Sequence, residues 1–253
     1  LVALCEVEND SVMHFLCRRT RLARLGYEYL VTHSADRRGI DVALLYQPET
    51  FALLHSETYR VPYDSLRERP TRDLLHAAGR LPFGDTLDVF VVHFPSRRGG
   101  ATISEPYRLR AAGILRHLAD SIAHCRHTPR LLAMGDFNDE PHNASVSRVL
   151  APTFAELTSH ATPLPAEGHD DIEGSYYFRG EWSRIDQILV SPTLLSPTMK
   201  FHTTPQSVHL LAFPPLLETL GRGTLSKPFR TYLGPFYHGG ISDHLPLCID
   251  FSY

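Results

Sequence analysis

Apolar residues in this chain fall mostly into short runs, each broken near its end by an acidic, amide or histidine side chain. Leu1 to Val7, LVALCEV, is such a run and carries Glu6, with Glu8, Asn9 and Asp10 close behind. From Asp10 the spacing changes to that of a helix: Val12, Phe15, Leu16, Leu22, Ala23 and Leu25 recur, with Asp10 or Ser11 as cap and Gly26 as stop. Tyr27–Thr32, Ile40–Gln47 and Phe51–Val61 are rich in β-branched and aromatic residues and predict strands. Thr71–Leu81 and Thr86–Phe94 flank the turn signal PFGD and predict a hairpin whose second strand carries His93 at its end. A long helix is predicted over Glu105–Arg126, with Leu109, Ala112, Ile114, Leu115, Leu118 and Ile122 inward and Arg108, Arg110 and Arg116 along its flanks.

The stretch LLAMGDFNDEP, Leu131 to Pro141, organises the second half. Leu131–Met134 reads as a strand buried on both faces and ended by Gly135, with Asp136, Asn138 and Asp139 crowded at its tip. Asp136 and Asn138 are two apart, so on a continuing strand they point the same way and Phe137 turns to the other face. Glu140–Leu150 predicts a short helix, Pro152–Gly174 a loop, and Trp182–Ser191 one strand carrying Asp186. Pro192–Gly240 is broken by prolines and reads as an insertion or lid within a single domain over 1–253. GGISDHLPLCIDF then places Asp243 and His244 after a Gly-Gly turn and before a last strand, Leu247–Phe251.

Composition narrows the class. With 253 residues, 43% apolar and 21% charged, the chain has the make-up of a globular domain with a sizeable core. Its net charge of −3 gives no overall positive field, so binding of nucleic acid requires a local patch. No apolar run is long enough to predict a membrane-spanning helix. The four cysteines form no CxxC pair, which argues against structural zinc; buried free thiols are expected, with a disulfide left open. The chain starts at Leu1 inside a predicted strand and without Met, so it reads as a piece of a longer protein whose targeting signals and compartment stay out of view.

Five strand ends therefore carry Glu6, His93, Asp136 with Asn138, Asp186, and Asp243 with His244. Each alone has a plain explanation: an Asx-rich turn, a paired ion, a satisfied core histidine. A carboxylate in an apolar strand is costly unless paired or metal-bound, and five such breaks together point to one site. Oxygen donors without thiolates suit Mg²⁺ or Mn²⁺ rather than zinc.

CEVEN at 5–9, HFPSRRGG at 93–100, GDFND at 135–139, RIDQILVS at 184–191 and SDHLPL at 242–247 resemble the successive motifs of the endonuclease/exonuclease/phosphatase superfamily. HFPSRRGG and GSYYFRGEW resemble its bacterial endonuclease-like branch. The resemblance implies an α/β (α+β) fold, a four-layered sandwich of two mixed β-sheets face to face with helices outside and the site at one end. It implies Glu6 as the main metal carboxylate and Asp243 as a second. Asp136 and Asn138 are implied to orient the attacking water and the scissile phosphate, and His93 to donate to a non-bridging oxygen. His244 is implied beside the phosphate, with its tautomer fixed by Asp186. Arg97, Arg98 and Arg108 are added here as phosphate clamps, a role the planar guanidinium suits.

The expected activity is divalent-metal-dependent phosphodiester hydrolysis on DNA or RNA by in-line water attack, with either Asp136 or His244 as base. The same site would serve a phosphatase or a phospholipid phosphodiesterase, with Phe213, Leu216 and Leu217 toward an apolar substrate; a third reading is a non-catalytic binding module. No protein partner is implied. Members of the superfamily carry an earlier strand with an Asn that supports metal and phosphate. No such block precedes CEVEN, so these 253 residues alone are expected to be weakly active, with activity restored by upstream residues.

Overall fold

In the computed structural model, which describes residues 1–63, 70–165, 168, 171–220 and 225–253, the predicted strands and helices largely form. The first half runs β1 (Val2–Val7), α1 (Asp10–Arg19), β2 (Glu28–Val31), β3 (Asp41–Tyr46), β4 (Ala52–Tyr59), β5 (Leu74–Arg80), β6 (Thr86–His93), α2 (Ala101–Cys125) and β7 (Leu131–Asp136). There follow β8 (Ala155–Glu156), β9 (Thr162–Leu164), β10 (Tyr176–Phe178), β11 (Glu181–Ser183), β12 (Asp186–Val190) and β13 (Val208–Leu211). Two hairpins, β14 with β15 (Leu217–Leu220, Leu225–Pro228) and β16 with β17 (Tyr232–Leu233, Phe236–Tyr237), precede β18 (Leu247–Ile249).

A six-stranded mixed sheet, ordered β4-β5-β6-β7-β12-β8, is the frame. Its one parallel pair is β6–β7, and parallel neighbours need a crossover; α2 supplies it. The helix lays Ala111, Ala112, Leu115 and Ala119 on Phe90, Val92, Leu131, Ala133 and Leu189, and the alanines allow a close approach. On the opposite face two three-stranded sheets, β1-β3-β2 and β18-β13-β9, complete a second layer. Val42, Leu44, Val89, Val91, Leu132, Ile188, Val190, Val208 and Leu210 fill the space between. α1 covers the outside of the first small sheet with Met13 and Cys17. Helix, sheet, sheet, helix is the four-layered α/β sandwich expected, with its second layer divided in two.

Several expectations need correction. Gly135 lies inside β7 rather than ending it. The helix expected over Glu140–Leu150 is a π-helical segment at Ser145–Leu150. Pro152–Gly174 contains β8 and β9, and its residues 166, 167, 169 and 170 lie outside those described. The strand expected over Trp182–Ser191 breaks at Arg184 and Ile185: β11 pairs with β10, while β12 joins the central sheet. Within 192–240, Leu194, Phe201, Val208, Leu210 and Ala212 belong to the main core, and β13 pairs with β18 and β9. The later part forms the two hairpins, with 221–224 outside the described residues. All four cysteines are free thiols.

One buried ion pair ties the layers. Asp88 of β6 accepts from Arg126, just past α2, through Nε and Nη2, both at 3.1 Å, and lies 3.0 Å from His76 Nε2 on β5. Burial alone would raise the Asp88 carboxyl, but the His76 and Arg126 hydrogen bonds outweigh it and hold the group below its ordinary value. A depressed carboxyl adds stability above its unfolded value and loses it as pH falls through the folded one. Asp88→Ala should therefore cost about 2 kcal/mol at pH 7, because it leaves the buried His76 without its acceptor and the half-exposed Arg126 without its partner. The urea midpoint measures this loss, and the gap to wild type should shrink on acidification through the Asp88 titration.

Candidate active site

Register sets three titratable side chains in one row. His93 at the end of β6 lies opposite Asp136 at the end of β7, and Asp186 at the start of β12 lies opposite Asp136 from the other side. On these strands Val89, Val91, Leu132, Ile188 and Val190 face the space between the layers. His93, Asp136 and Asp186 continue the same alternation. The apolar interior of the sandwich thus ends in a polar row at its rim.

His244 completes the row from the loop before β18. Leu245 N–H donates to the Ser175 carbonyl at 2.7 Å, and His244 Nδ1 donates to Asp186 Oδ2 at 2.7 Å. Ser175 Oγ donates to the same carboxylate oxygen at 2.5 Å, and the Tyr176 ring packs 4.8 Å from the imidazole. One ligand atom from each of Asp136, Asp186 and His244 lies within 4.8 Å of the others; among the described residues this group does not extend to Glu6 or Asp243.

β7 stops at Asp136 and the chain turns. Asn138 adopts a left-handed φ of 50°, which returns its backbone N–H to Asp136 Oδ1 at 2.7 Å and its Nδ2 to Oδ2 at 3.1 Å. Asp136 and Asn138 therefore meet through a turn, not through strand alternation, while Phe137 is fully buried as expected. Asn138 Nδ2 also donates to the Phe94 carbonyl at 3.0 Å, and Arg72 donates to that same carbonyl. His93 is enclosed, with Nε2 3.3 Å from Asp136 Oδ2, so its ring bears on the carboxylate.

Burial raises the Asp136 carboxyl to about 7, reinforced by the charge of Asp186 and opposed by His244, the Asn138 N–H and Arg72. For His244, burial alone would favour the neutral ring, but Asp186, through its charge and its hydrogen bond, and then Asp136 and Asp243 lift it to about 10. His93 is driven well below its ordinary value by burial, then by Arg72, Arg38 and His244, and is neutral at pH 7. Beneath the row, Cys5 donates its thiol to the Val92 carbonyl at 3.5 Å; burial and the Asp136 charge push that thiol up.

This contact places the end of β1, and with it Glu6, beside the His93 end of β6. A bulge between Leu4 and Val7 and a φ of 58° at Glu6 turn its carboxylate to solvent, where it meets Arg38 at 3.5 Å. Asp243 is half-buried next to His244. Hard oxygens are what Mg²⁺ or Mn²⁺ takes, and the repulsion that lifts Asp136 beside Asp186 is of the kind a divalent cation relieves. The residues present fit such a cation.

Two of the three expected phosphate clamps are engaged by the protein itself. Arg108 is fully buried, with Nε 2.7 Å from Asp139 Oδ1 and Nη1 on Ser104 Oγ at 2.7 Å. Arg97 donates to the Asn138 carbonyl at 2.7 Å and to Asn143 Oδ1 at 2.9 Å. Both brace the loop that carries Asn138, because Asp139 is buried and needs a cation. Only Arg98 faces solvent. Arg72, Ser175 and Tyr176 were not singled out from the sequence. Ser175 and Tyr176 lie within GSYYFRGEW; Arg72 shows only as a charge leading into an apolar strand.

Acid, amide and imidazole groups gathered at the rim of a four-layered α/β sandwich define the class of the phosphoester hydrolases. The family follows from the sequence: the profile of the Endonuclease/Exonuclease/phosphatase family matches residues 1–252, and the chain belongs to that family. Solved structures share the fold. D. rerio TDP2 complexed with a single-strand DNA product is 16% identical, with 100% of this chain and 85% of that one covered at a TM-score of 0.63. The human nocturnin catalytic domain with bound sulfate is 18% identical, with 99% and 79% covered at 0.62. The endonuclease/exonuclease/phosphatase from Bacteroides vulgatus is 16% identical, with 99% and 84% covered at 0.64. No curated protein matches the sequence.

Two outcomes follow from the geometry. Asp186→Asn should drop the His244 pKa from about 10 to near or below 6.5, read by imidazole ¹⁵N titration, since burial then acts with less opposition. A value still near 10 would mean that Asp186 does not set it. Gly135 has a φ of 137°, and a Cβ there would stand 2.0 Å from the Val92 carbonyl oxygen. Gly135→Ala should therefore destabilise the fold by about 3 kcal/mol, seen as a lower urea midpoint.

Proposed function

We propose that this protein is a divalent-metal-dependent phosphodiesterase that hydrolyses nucleic acid by in-line attack of water. The observation that carries the proposal is geometric: Asp136, Asp186 and His244, from two strands and a loop, offer ligand atoms within 4.8 Å of one another, and Asn138 bonds both Asp136 oxygens. Burial raises the Asp136 carboxyl and the Asp186 charge raises His244, which supports a proton acceptor beside a cation. Asp136 takes the proton of the attacking water. Asn138 holds both Asp136 oxygens in place, and His93 packs against the same carboxylate. His244 spends Nδ1 on Asp186, which leaves Nε2–H to donate to a phosphoryl oxygen as its charge grows. The Asp136 and Asp186 carboxylates would hold Mg²⁺ or Mn²⁺, with Glu6 and Asp243, which lie outside that close group, as the further carboxylates toward it; when bound it would offset the phosphate's negative charge as a Lewis acid.

A second reading, the same chemistry on a phospholipid, is favoured by one observation. The β16–β17 hairpin exposes Tyr232, Phe236 and Tyr237, the last two by 75% and 72%. Single-stranded oligonucleotides, bis-p-nitrophenyl phosphate and phospholipid vesicles, each with Mg²⁺, Mn²⁺ or EDTA, separate the two. Oligonucleotide cleavage that EDTA abolishes is expected. Asp136→Ala and His244→Ala should each lower kcat by about 10³, and full activity in either variant would remove the mechanism.

A further inference from the structure

Beside the catalytic row, on the Arg72 side, lies an open cleft of about 420 Å³. Arginines reach it from four separate segments: Arg37 and Arg38 from the loop between β2 and β3, Arg72 ahead of β5, Arg98 after β6, and Arg110 on α2. Among the described residues its one lining carboxylate, Asp36, is already held by Arg72 at 3.1 Å and Arg38 at 3.4 Å. Arg37 and Arg98 are exposed and make no ion pair or hydrogen bond among the described residues. In a chain of net charge −3, this concentration of guanidinium groups is a strong local field.

The cleft adjoins the catalytic row through the buried Arg72, although none of the row's own side chains lines it. Arg72 donates to the Phe94 carbonyl, the same oxygen that anchors Asn138 Nδ2 at 3.0 Å. Tyr107 and Arg110, three residues apart on α2, line the cleft together with Tyr63, and Arg110 donates to the Pro62 carbonyl at 3.1 Å.

We infer that this cleft binds the phosphates of a single-stranded polynucleotide next to the phosphodiester being cut, with Tyr63 and Tyr107 as stacking surfaces for its bases. The inference rests on the nucleic-acid reading above and extends it. Arginine forks take phosphate in a bidentate manner, and base–tyrosine stacking tolerates any sequence. Arg37 and Arg98, from two separate segments, are the guanidinium groups without a partner among the described residues and would take the phosphates. The volume is that of a small-ligand pocket, which suits one nucleotide of a single strand at a time and is too small for a duplex. The exposed aromatics of the β16–β17 hairpin are not among the cleft's lining residues, so the apolar surface that favours a phospholipid lies elsewhere.

The test is binding rather than turnover, on the whole chain with EDTA present, followed by anisotropy of a labelled eight-nucleotide single strand across a salt series. Arg37→Glu with Arg98→Glu should weaken binding at least tenfold near 0.1 M salt. The slope of log K against log salt should fall by about 1.4, two contacts at about 0.7 each. Arg37→Lys with Arg98→Lys should keep the slope. If the glutamate pair fails to fold, Arg37→Gln with Arg98→Gln should show the same loss of slope. Unchanged affinity and slope would overturn the inference, as would arginine-dependent binding to phosphatidylserine vesicles with none to the oligonucleotide. Because no cleavage is measured, arginine-dependent binding by a chain that hydrolyses nothing would sink the hydrolase reading and leave this one standing.

Discussion

The site depends on the register of three adjacent strands. Once β6 runs parallel to β7 and β12 antiparallel to it, His93, Asp136 and Asp186 fall side by side at the rim of the sandwich. Two carboxylates so placed repel one another in a medium that already disfavours their charge. The surroundings answer with donors: Asn138 to Asp136, and Ser175 and His244 to Asp186. Gly135 belongs to the same constraint, since any side chain there would press into the Val92 carbonyl on the neighbouring strand.

Around this row the arginines divide into two populations. Arg108, buried, and Arg97, half-buried, hold Asp139 and the turn after β7, so that Asn138 can keep a backbone conformation that non-glycine residues seldom take. Ser145 Oγ adds a third bond to Asp139 at 2.6 Å, which links the π-helical segment to the same anchor. Arg37 and Arg98 are exposed and remain available to a ligand. Only partner and burial separate the two groups.

Much of the fold was legible because its strands alternate or are continuously apolar. Leu131–Met134, Asp41–Tyr46 and the 71–94 hairpin announce themselves by composition. The break at Arg184–Ile185 was hidden, because Ile185 is itself buried and the apolar run passes through it unchanged. The 192–212 stretch read as an insertion since its prolines mask the four-residue strand β13, which is fixed by partners far away in sequence. In the site, Asp136, Asp186 and His244 were visible as polar breaks in apolar runs, and the structure brings them together. Arg108 was misplaced for a physical reason: helical spacing reports which face a residue occupies, not that a buried aspartate 31 positions later waits for it. Glu6 was read as part of an even strand, whereas a bulge, which leaves no mark in composition, re-aims it.

Asp186 deserves the closest reading of the row, although it touches no water or phosphate in the proposed chemistry. Its negative charge raises both neighbours at once: it makes Asp136 hold its proton longer, and it makes His244 nearly permanent as a cation. Those two effects have opposite chemical meanings, because one group is an acid whose proton removes its charge and the other is a base whose proton creates it. A single carboxylate placed between them therefore keeps the Asp136 carboxyl raised and the His244 imidazole charged in the same act. Moved to the far side of either partner, the same charge would perform one task and lose the other. For that reason its place in the register, opposite Asp136 and within reach of His244, matters more than its being acidic.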